Sequence, residues 1–206
     1  MISVIMASTL ADYKNAAKHR DKKILRAINS LYNQIDNDGN TFTDFELVVV
    51  SDGCEKTVKL TKPLANTIIR VEKCPIWSGK PRNTGIEYAR GDIIVYLDND
   101  DAFAPFHLQH IKNNFGGDSL LFGDMVPMEK SFRFEPFLDY RRFNFRGVTQ
   151  KLGFCGTSNI AHTPKYRWPE KSDYAHDWVF IKQFKDIKTI ERGGYMVCHV
   201  PGMYDI

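Results

Sequence analysis

Asp98, Asn99, Asp100 and Asp101 put three carboxylates within four positions, directly after the apolar run 93–97. Neighbouring negative charges repel one another, and the pattern becomes favourable where a cation offsets them. Oxygen donors at this density suit Mg²⁺ or Mn²⁺, ions that commonly hold substrate phosphates at the same time. Carboxylates alone repel a diphosphate, so a bridging cation makes chemical sense of acids placed beside a phosphate site. The competing reading is a solvated turn and helix cap, a frequent role for aspartate.

Acids placed this way need a strand that ends beneath them. Short apolar runs recur at 2–7, 45–50, 67–71 and 93–97, each the length of a buried parallel strand. Between the first two, Ile24, Leu25, Ile28, Leu31, Tyr32 and Ile35 repeat at three- and four-residue steps, which predicts a helix with one apolar face. Asn37-Asp38-Gly39-Asn40 closes it. The segment 81–89 predicts a shorter helix, with Pro81 in its first turn and Gly91 just past its end. A last helix is predicted over 174–184, where Trp178, Ile181 and Phe184 share a face. This alternation points to an α/β fold with a mostly parallel central sheet flanked by helices. Open sheets of this kind bind ligands outside the carboxyl ends of their strands, which is where the acids fall.

At 206 residues the chain suits one domain with a full core. Its 43% hydrophobic and 26% charged residues exclude a disordered, collagen-like or coiled-coil class. A formal charge of +3 is too small a surplus to mark a nucleic-acid binder, so no nucleic-acid partner is expected. No segment reaches the roughly 18 apolar residues of a membrane span. Cys54, Cys74, Cys155 and Cys198 form no CxxC pair, which disfavours a zinc site and points to a reducing, cytoplasmic compartment. The run 2–7 opens the chain without the layout of a signal peptide. The last residues leave open a longer protein.

Taken in order, four landmarks resemble the GT-A fold (Rossmann-like) nucleotide-diphospho-sugar transferases, specifically the inverting group called glycosyltransferase family 2. Ile2-Ser3-Val4-Ile5-Met6-Ala7-Ser8 is similar to the family's first strand and nucleotide loop, and Val49-Val50-Ser51-Asp52-Gly53 to its second strand. The stretch from Gly79 through Arg82-Asn83-Thr84-Gly85-Ile86 to Tyr96-Leu97-Asp98-Asn99-Asp100-Asp101 resembles the RNxGI helix leading into the DxD strand. Ala175-His176-Asp177-Trp178 resembles the late acidic dyad, with His176 where the family usually has glutamate. Ser51 likewise replaces an acid usual before Asp52.

The resemblance implies a nucleotide-sugar half at 1–101 and an acceptor half at 102–206, the latter including the aromatic and basic stretch Tyr140-Arg141-Arg142-Phe143-Asn144-Phe145-Arg146. It implies transfer of a sugar from a nucleotide-diphosphate donor, a UDP-sugar, to a hydroxyl of a carbohydrate acceptor, with Mn²⁺ or Mg²⁺. Ala7, Ser8 and Thr9 would flank the nucleoside and Asp52 would accept a hydrogen bond from the base, or form only a turn. Lys80 and Arg82 would face phosphate or base, although Lys80 also suits a solvated helix position. Asp98, with Asn99 beside it, would approach the ribose or the metal, and Asp100 would ligate the metal. His199 would be a further metal ligand or a structural histidine. Asp177 would be the general base, or a helix-start charge. Trp168 and Trp178 would stack on a sugar or pack in the core.

Two other readings share the layout. A sugar nucleotidyltransferase usually opens with a glycine-rich basic phosphate loop, and Ala7-Ser8-Thr9-Leu10-Ala11-Asp12 contains no glycine. A nucleotide-sugar or carbohydrate-binding module without turnover is disfavoured by the presence of both Asp100 and Asp177.

Overall fold

The computed structural model describes residues 1–75, 79–171 and 175–206. The first half alternates strand and helix: β1 (Ile2–Ser8), α1 (Arg20–Tyr32), β2 (Phe45–Asp52), α2 (Glu55–Thr61), β3 (Thr67–Val71), α3 (Lys80–Tyr88) and β4 (Ile93–Tyr96). The second half has shorter elements: β5 (Ala102–Phe103), α4 (His107–Asn114), β6 (Ser119–Phe122), β7 (Asp124–Pro127), β8 (Phe143–Arg146) and β9 (Ile160–His162). It continues with α5 (His176–Ile181), β10 (Ile187–Ile190), β11 (Tyr195–Met196), β12 (His199–Val200) and β13 (Tyr204–Asp205).

The main sheet has seven strands in the order β10-β6-β9-β4-β1-β2-β3. Strands β3, β2, β1 and β4 run parallel, β9 is antiparallel to both its neighbours, and β6 and β10 are parallel to each other. A smaller sheet, β5-β11-β7-β8, and the β12–β13 pair lie beyond β4 in the chain.

The period-two pleat sends alternate side chains of each central strand to opposite faces. Val4, Met6, Leu47, Val49 and Val95 pack under Ile24, Ile28 and Leu31 of α1 and Leu108 and Ile111 of α4. Ile5, Val48, Val50, Ile94 and Tyr96 pack under Ile86 of α3 and Phe180 and Ile181 of α5. Both faces are covered, as a parallel sheet requires. Gly85 lets α3 lie directly on β1, because a Cβ there would stand 2.5 Å from Ile5 Cγ2. Gly53 turns the chain after β2 at φ 65°, in the left-handed region.

Several boundaries differ from the sequence reading. Helix α1 stops at Tyr32, so Tyr32 and Ile35 leave the apolar face and are 42% and 38% exposed. Gln34 goes inward instead: its amide donates to the Ser30 and Ala104 carbonyls at 3.0 and 2.9 Å and accepts from the Leu108 N–H at 2.9 Å. Those three bonds satisfy a buried polar group that the periodicity alone leaves outside. The start predicted at Tyr174 lies outside the described residues, and α5 ends at Ile181, short of 184. Among the described residues no helix is long and apolar enough to cross a membrane.

Candidate functional site

A cleft of about 540 Å³ opens at the carboxyl ends of β1, β2 and β4. Ala7, Ser8, Thr9, Asp52, Arg82, Asp98, Asn99, Asp100 and His199 all line it, gathered from positions almost two hundred residues apart. Lys80 and Asp177 do not line it. Lys80 is exposed at the start of α3. Asp177 lies in the first turn of α5, close enough for its charge to raise the pKa of Asp98.

The acidic loop is fixed at each residue. The Asp98 N–H donates to Tyr195 Oη at 3.1 Å, and its carboxylate lies 3.5 Å from Arg82 Nη2. Asn99 Nδ2 donates to Ser8 Oγ at 2.7 Å and to the Thr9 carbonyl at 3.4 Å. The Asp100 carbonyl accepts from Arg26 at 3.1 Å. Asp101 is buried and its two oxygens are taken by the Tyr195 hydroxyl at 2.8 Å and the Cys198 N–H at 2.7 Å. Asp101 also borders the cleft, but with both oxygens taken it acts as a brace, while Asp98 and Asp100 are only half-buried there.

Packed this closely, the acids resist ionisation. Burial pushes Asp98 up to about 6, with the charges of Asp100 and Asp177 adding to the effect and Arg82 opposing it. Burial also raises Asp100, against the pull of His199 and Lys23. Asp101 is raised well above the ordinary carboxylate range, first by burial and then by Asp100 and Asp98.

Cations are supplied from α1 by residues at three-residue steps: Arg20, Lys23 and Arg26 are all buried. Arg20 donates to the Thr9 and Ala11 carbonyls at 3.1 and 2.8 Å and to Asp12 at 2.9 Å, holding the loop after β1. Lys23 pairs with Asp205 on β13. Arg26 reaches the carbonyls of Glu135 and Ile206 as well as Asp100. The hydrophobic pattern of α1 conceals this stripe, yet three basic residues at i, i+3 and i+6 beside an apolar face are a readable signal for it.

Other contacts refine the sequence reading. Both Asp52 oxygens are engaged, one by the Cys74 N–H at 2.6 Å and one by Lys73. Lys73 also lines the cleft and was missed; it sits just past β3, the next parallel strand, where the strand-end rule would have nominated it. Both ring nitrogens of His199 face protein acceptors: Nε2 lies 3.2 Å from the Asn15 carbonyl and Nδ1 3.3 Å from Asp205. Asp177 accepts from Thr157 Oγ1 at 3.1 Å and lies 3.1 Å from His176 Nε2. Trp168 is a core residue: it is 2% exposed, stacks on Phe180 at 4.0 Å and donates through Nε1 to Tyr96 Oη at 2.7 Å. Its outer face carries Arg82, 4.9 Å from the ring centroid. Trp178 is half-buried, with Lys182 over its ring. Among the described residues no group of three or more His, Cys, Asp or Glu is arranged to hold a metal ion.

A mostly parallel sheet covered on both faces, with its acid loop at the strand ends, is the GT-A glycosyltransferase arrangement. S. aureus TarS 1–349 in complex with UDP-GlcNAc is similar over 98% of this chain and 60% of that one, with a TM-score of 0.66 and 20% identity. A longer S. aureus TarS chain is matched over 95% of this chain and 36% of that one, at TM-score 0.62 and 21% identity. This chain therefore spans between 36% and 60% of the length of those relatives. A nucleotidyl transferase from Methanothermobacter thermautotroptrophicus (Mth528) shares the fold at TM-score 0.55 and 16% identity, over 93% of this chain and 88% of that one. No curated protein sequence matches the chain. The family model described as Glycosyl transferase family 2 matches residues 15–176, and the chain belongs to that family.

Proposed function

We propose that this chain is the donor-binding and catalytic domain of an inverting glycosyltransferase that moves a sugar from a UDP-sugar to a hydroxyl of a carbohydrate acceptor with the help of a divalent cation. The observation that carries the reading is the cleft in which Asp52, Arg82, Asp98 and Asp100 converge, with Asp177 near enough to act electrostatically on Asp98. TarS, with which the fold is shared, is described in complex with UDP and with UDP-GlcNAc, which supports a uridine nucleotide as the donor class.

In this reading Asp52 and Lys73 face the base, and Arg82, steadied on Trp168, offers charge-assisted donors to the diphosphate. Asp177, held by the Thr157 hydroxyl with His176 beside it, takes the proton of the acceptor hydroxyl. The acceptor oxygen then bonds to the anomeric carbon as the bond to the phosphate oxygen breaks, and that electron pair leaves with UDP. A single displacement of this kind inverts the anomeric configuration.

The donor set fits a hard divalent ion. Asp98 and Asp100 are crowded acids whose ionised forms a cation would favour, and Mg²⁺ or Mn²⁺ needs only one or two protein carboxylates where substrate phosphates supply further ligands. His199 would join them through Nε2 only by releasing the Asn15 carbonyl, or through Nδ1, which lies beside Asp205 without a hydrogen bond. The ion, when bound, supplies charge stabilisation for the departing diphosphate.

The test is UDP release from a panel of UDP-sugars with Mn²⁺ and an oligosaccharide acceptor, repeated with Asp177→Asn. Loss of a general base should lower turnover by about 10²–10⁴-fold with UDP binding retained. Binding of UDP-sugars without release by the wild-type protein would overturn the reading in favour of a binding module. Release of pyrophosphate from UTP and a sugar phosphate would overturn it in favour of a nucleotidyltransferase.

A further inference from the structure

Tyr195 does not itself line the cleft, and nothing in its local sequence marks it. It is 0% exposed on β11, packed against Phe103 and His107 with ring centroids 5.6 and 6.4 Å away. Its hydroxyl is the one polar group it carries into that apolar setting, and the hydroxyl does two things at once. It donates to Asp101 Oδ2 at 2.8 Å and accepts the Asp98 N–H at 3.1 Å. The other oxygen of Asp101 accepts the Cys198 N–H at 2.7 Å, two residues beyond the end of β11. Asp101, Tyr195 and the Asp98 amide therefore form a closed bracket between the acidic loop and β11.

We propose that Tyr195, oriented by Asp101, is a positioning residue for metal-assisted donor binding: it fixes the backbone at Asp98 so that the Asp98 and Asp100 carboxylates are presented to the cleft rather than folded back into the loop. The inference rests on the reading of the cleft as a site for a uridine diphosphate and a divalent cation. Its physical basis is the cost of leaving a part-buried amide, and the buried Asp101 carboxylate, short of a partner. Without the hydroxyl, the Asp98 N–H has to find another acceptor, and the nearest rearrangement turns the loop that carries both acids. Asp101, losing one of its two donors, would no longer resist that turn. A group that only filled space would have no such link to the acids.

The experiment measures UDP affinity by titration calorimetry with and without MnCl₂, for the wild type, Tyr195→Phe and Asp101→Asn. Phenylalanine keeps the ring in its pocket and removes only the oxygen. The ratio of the two UDP affinities reports how well the acids cooperate with the cation, and a purely structural role would not move it. Tyr195→Phe should reduce that ratio about tenfold and leave metal-free UDP affinity within about twofold. Asp101→Asn, which cannot satisfy both the Tyr195 hydroxyl and the Cys198 N–H in the original pattern, should reduce it in the same direction and carries the test if the phenylalanine variant does not fold. An unchanged ratio in a folded variant, or equal losses with and without Mn²⁺, would overturn the proposal while leaving the donor site intact. A wild-type protein that binds UDP with no dependence on Mn²⁺ would instead overturn the metal-assisted reading of the cleft, and this inference with it.

Discussion

Replacing Asp98 with asparagine should make the ligand-free protein more stable at neutral pH while weakening its hold on a donor. The carboxyl titrates at about 6 in the folded chain against an ordinary 3.8. Because the folded state prefers the protonated acid, stability associated with this group is fully present below 3.8 and is lost as the pH rises through about 6. The gap corresponds to a ceiling of about 3 kcal/mol at about 1.4 kcal/mol per tenfold. The side chain is 36% exposed, so solvent screening reduces the usable figure to about 1 kcal/mol. For a domain of this size that raises the melting temperature by about 2–4 °C. Asp98→Asn should show that gain over wild type by scanning calorimetry at pH 7.5, and the difference should shrink steadily between pH 6 and pH 4. It should also abolish any stabilisation conferred by UDP and Mn²⁺ together. A variant that melts below wild type at pH 7.5, or a difference that stays constant on acidification, would refute the view that this loop holds a carboxylate ionised against its burial, and against its acidic neighbours, in reserve for a ligand.

Two further perturbations test the frame around the cleft. Lys23→Met leaves Asp205 buried without its ammonium partner and should cost about 3–5 kcal/mol in urea unfolding, whereas Lys23→Met combined with Asp205→Leu should recover much of the loss. Gly85→Ala drives a methyl to 2.5 Å from Ile5 Cγ2 and should lower stability by about 1–3 kcal/mol, read as a shift in the urea midpoint without a change in slope.

The first four strands were legible because burial on two faces demands uninterrupted apolar runs, and α1 because a helix that covers them must repeat at three and four residues, whereas the short α2 between β2 and β3 was not read. The second half resisted reading for a physical reason. Strands such as β5, β9 and β11 are two or three residues long, and their registry comes from partners distant in the chain, such as Leu120 opposite Ala161. Asp98 and Asp100 could be nominated because charge density in a short run is a local property. The separation of Asp101 from its two neighbours could not, since it depends on Tyr195, 94 residues later. Trp168 shows the same limit: its ring suits a sugar equally well on paper, and only Tyr96, Phe180 and the reciprocal bonds of Asn83 with its backbone, at 2.7 and 3.0 Å, place it in the interior.

Asn99 carries a mechanical consequence. Its amide tethers the acidic loop to Ser8 and Thr9, so the turns following β1 and β4 form one jaw, not two. A ligand cannot be admitted by spreading those turns apart without first breaking that tether.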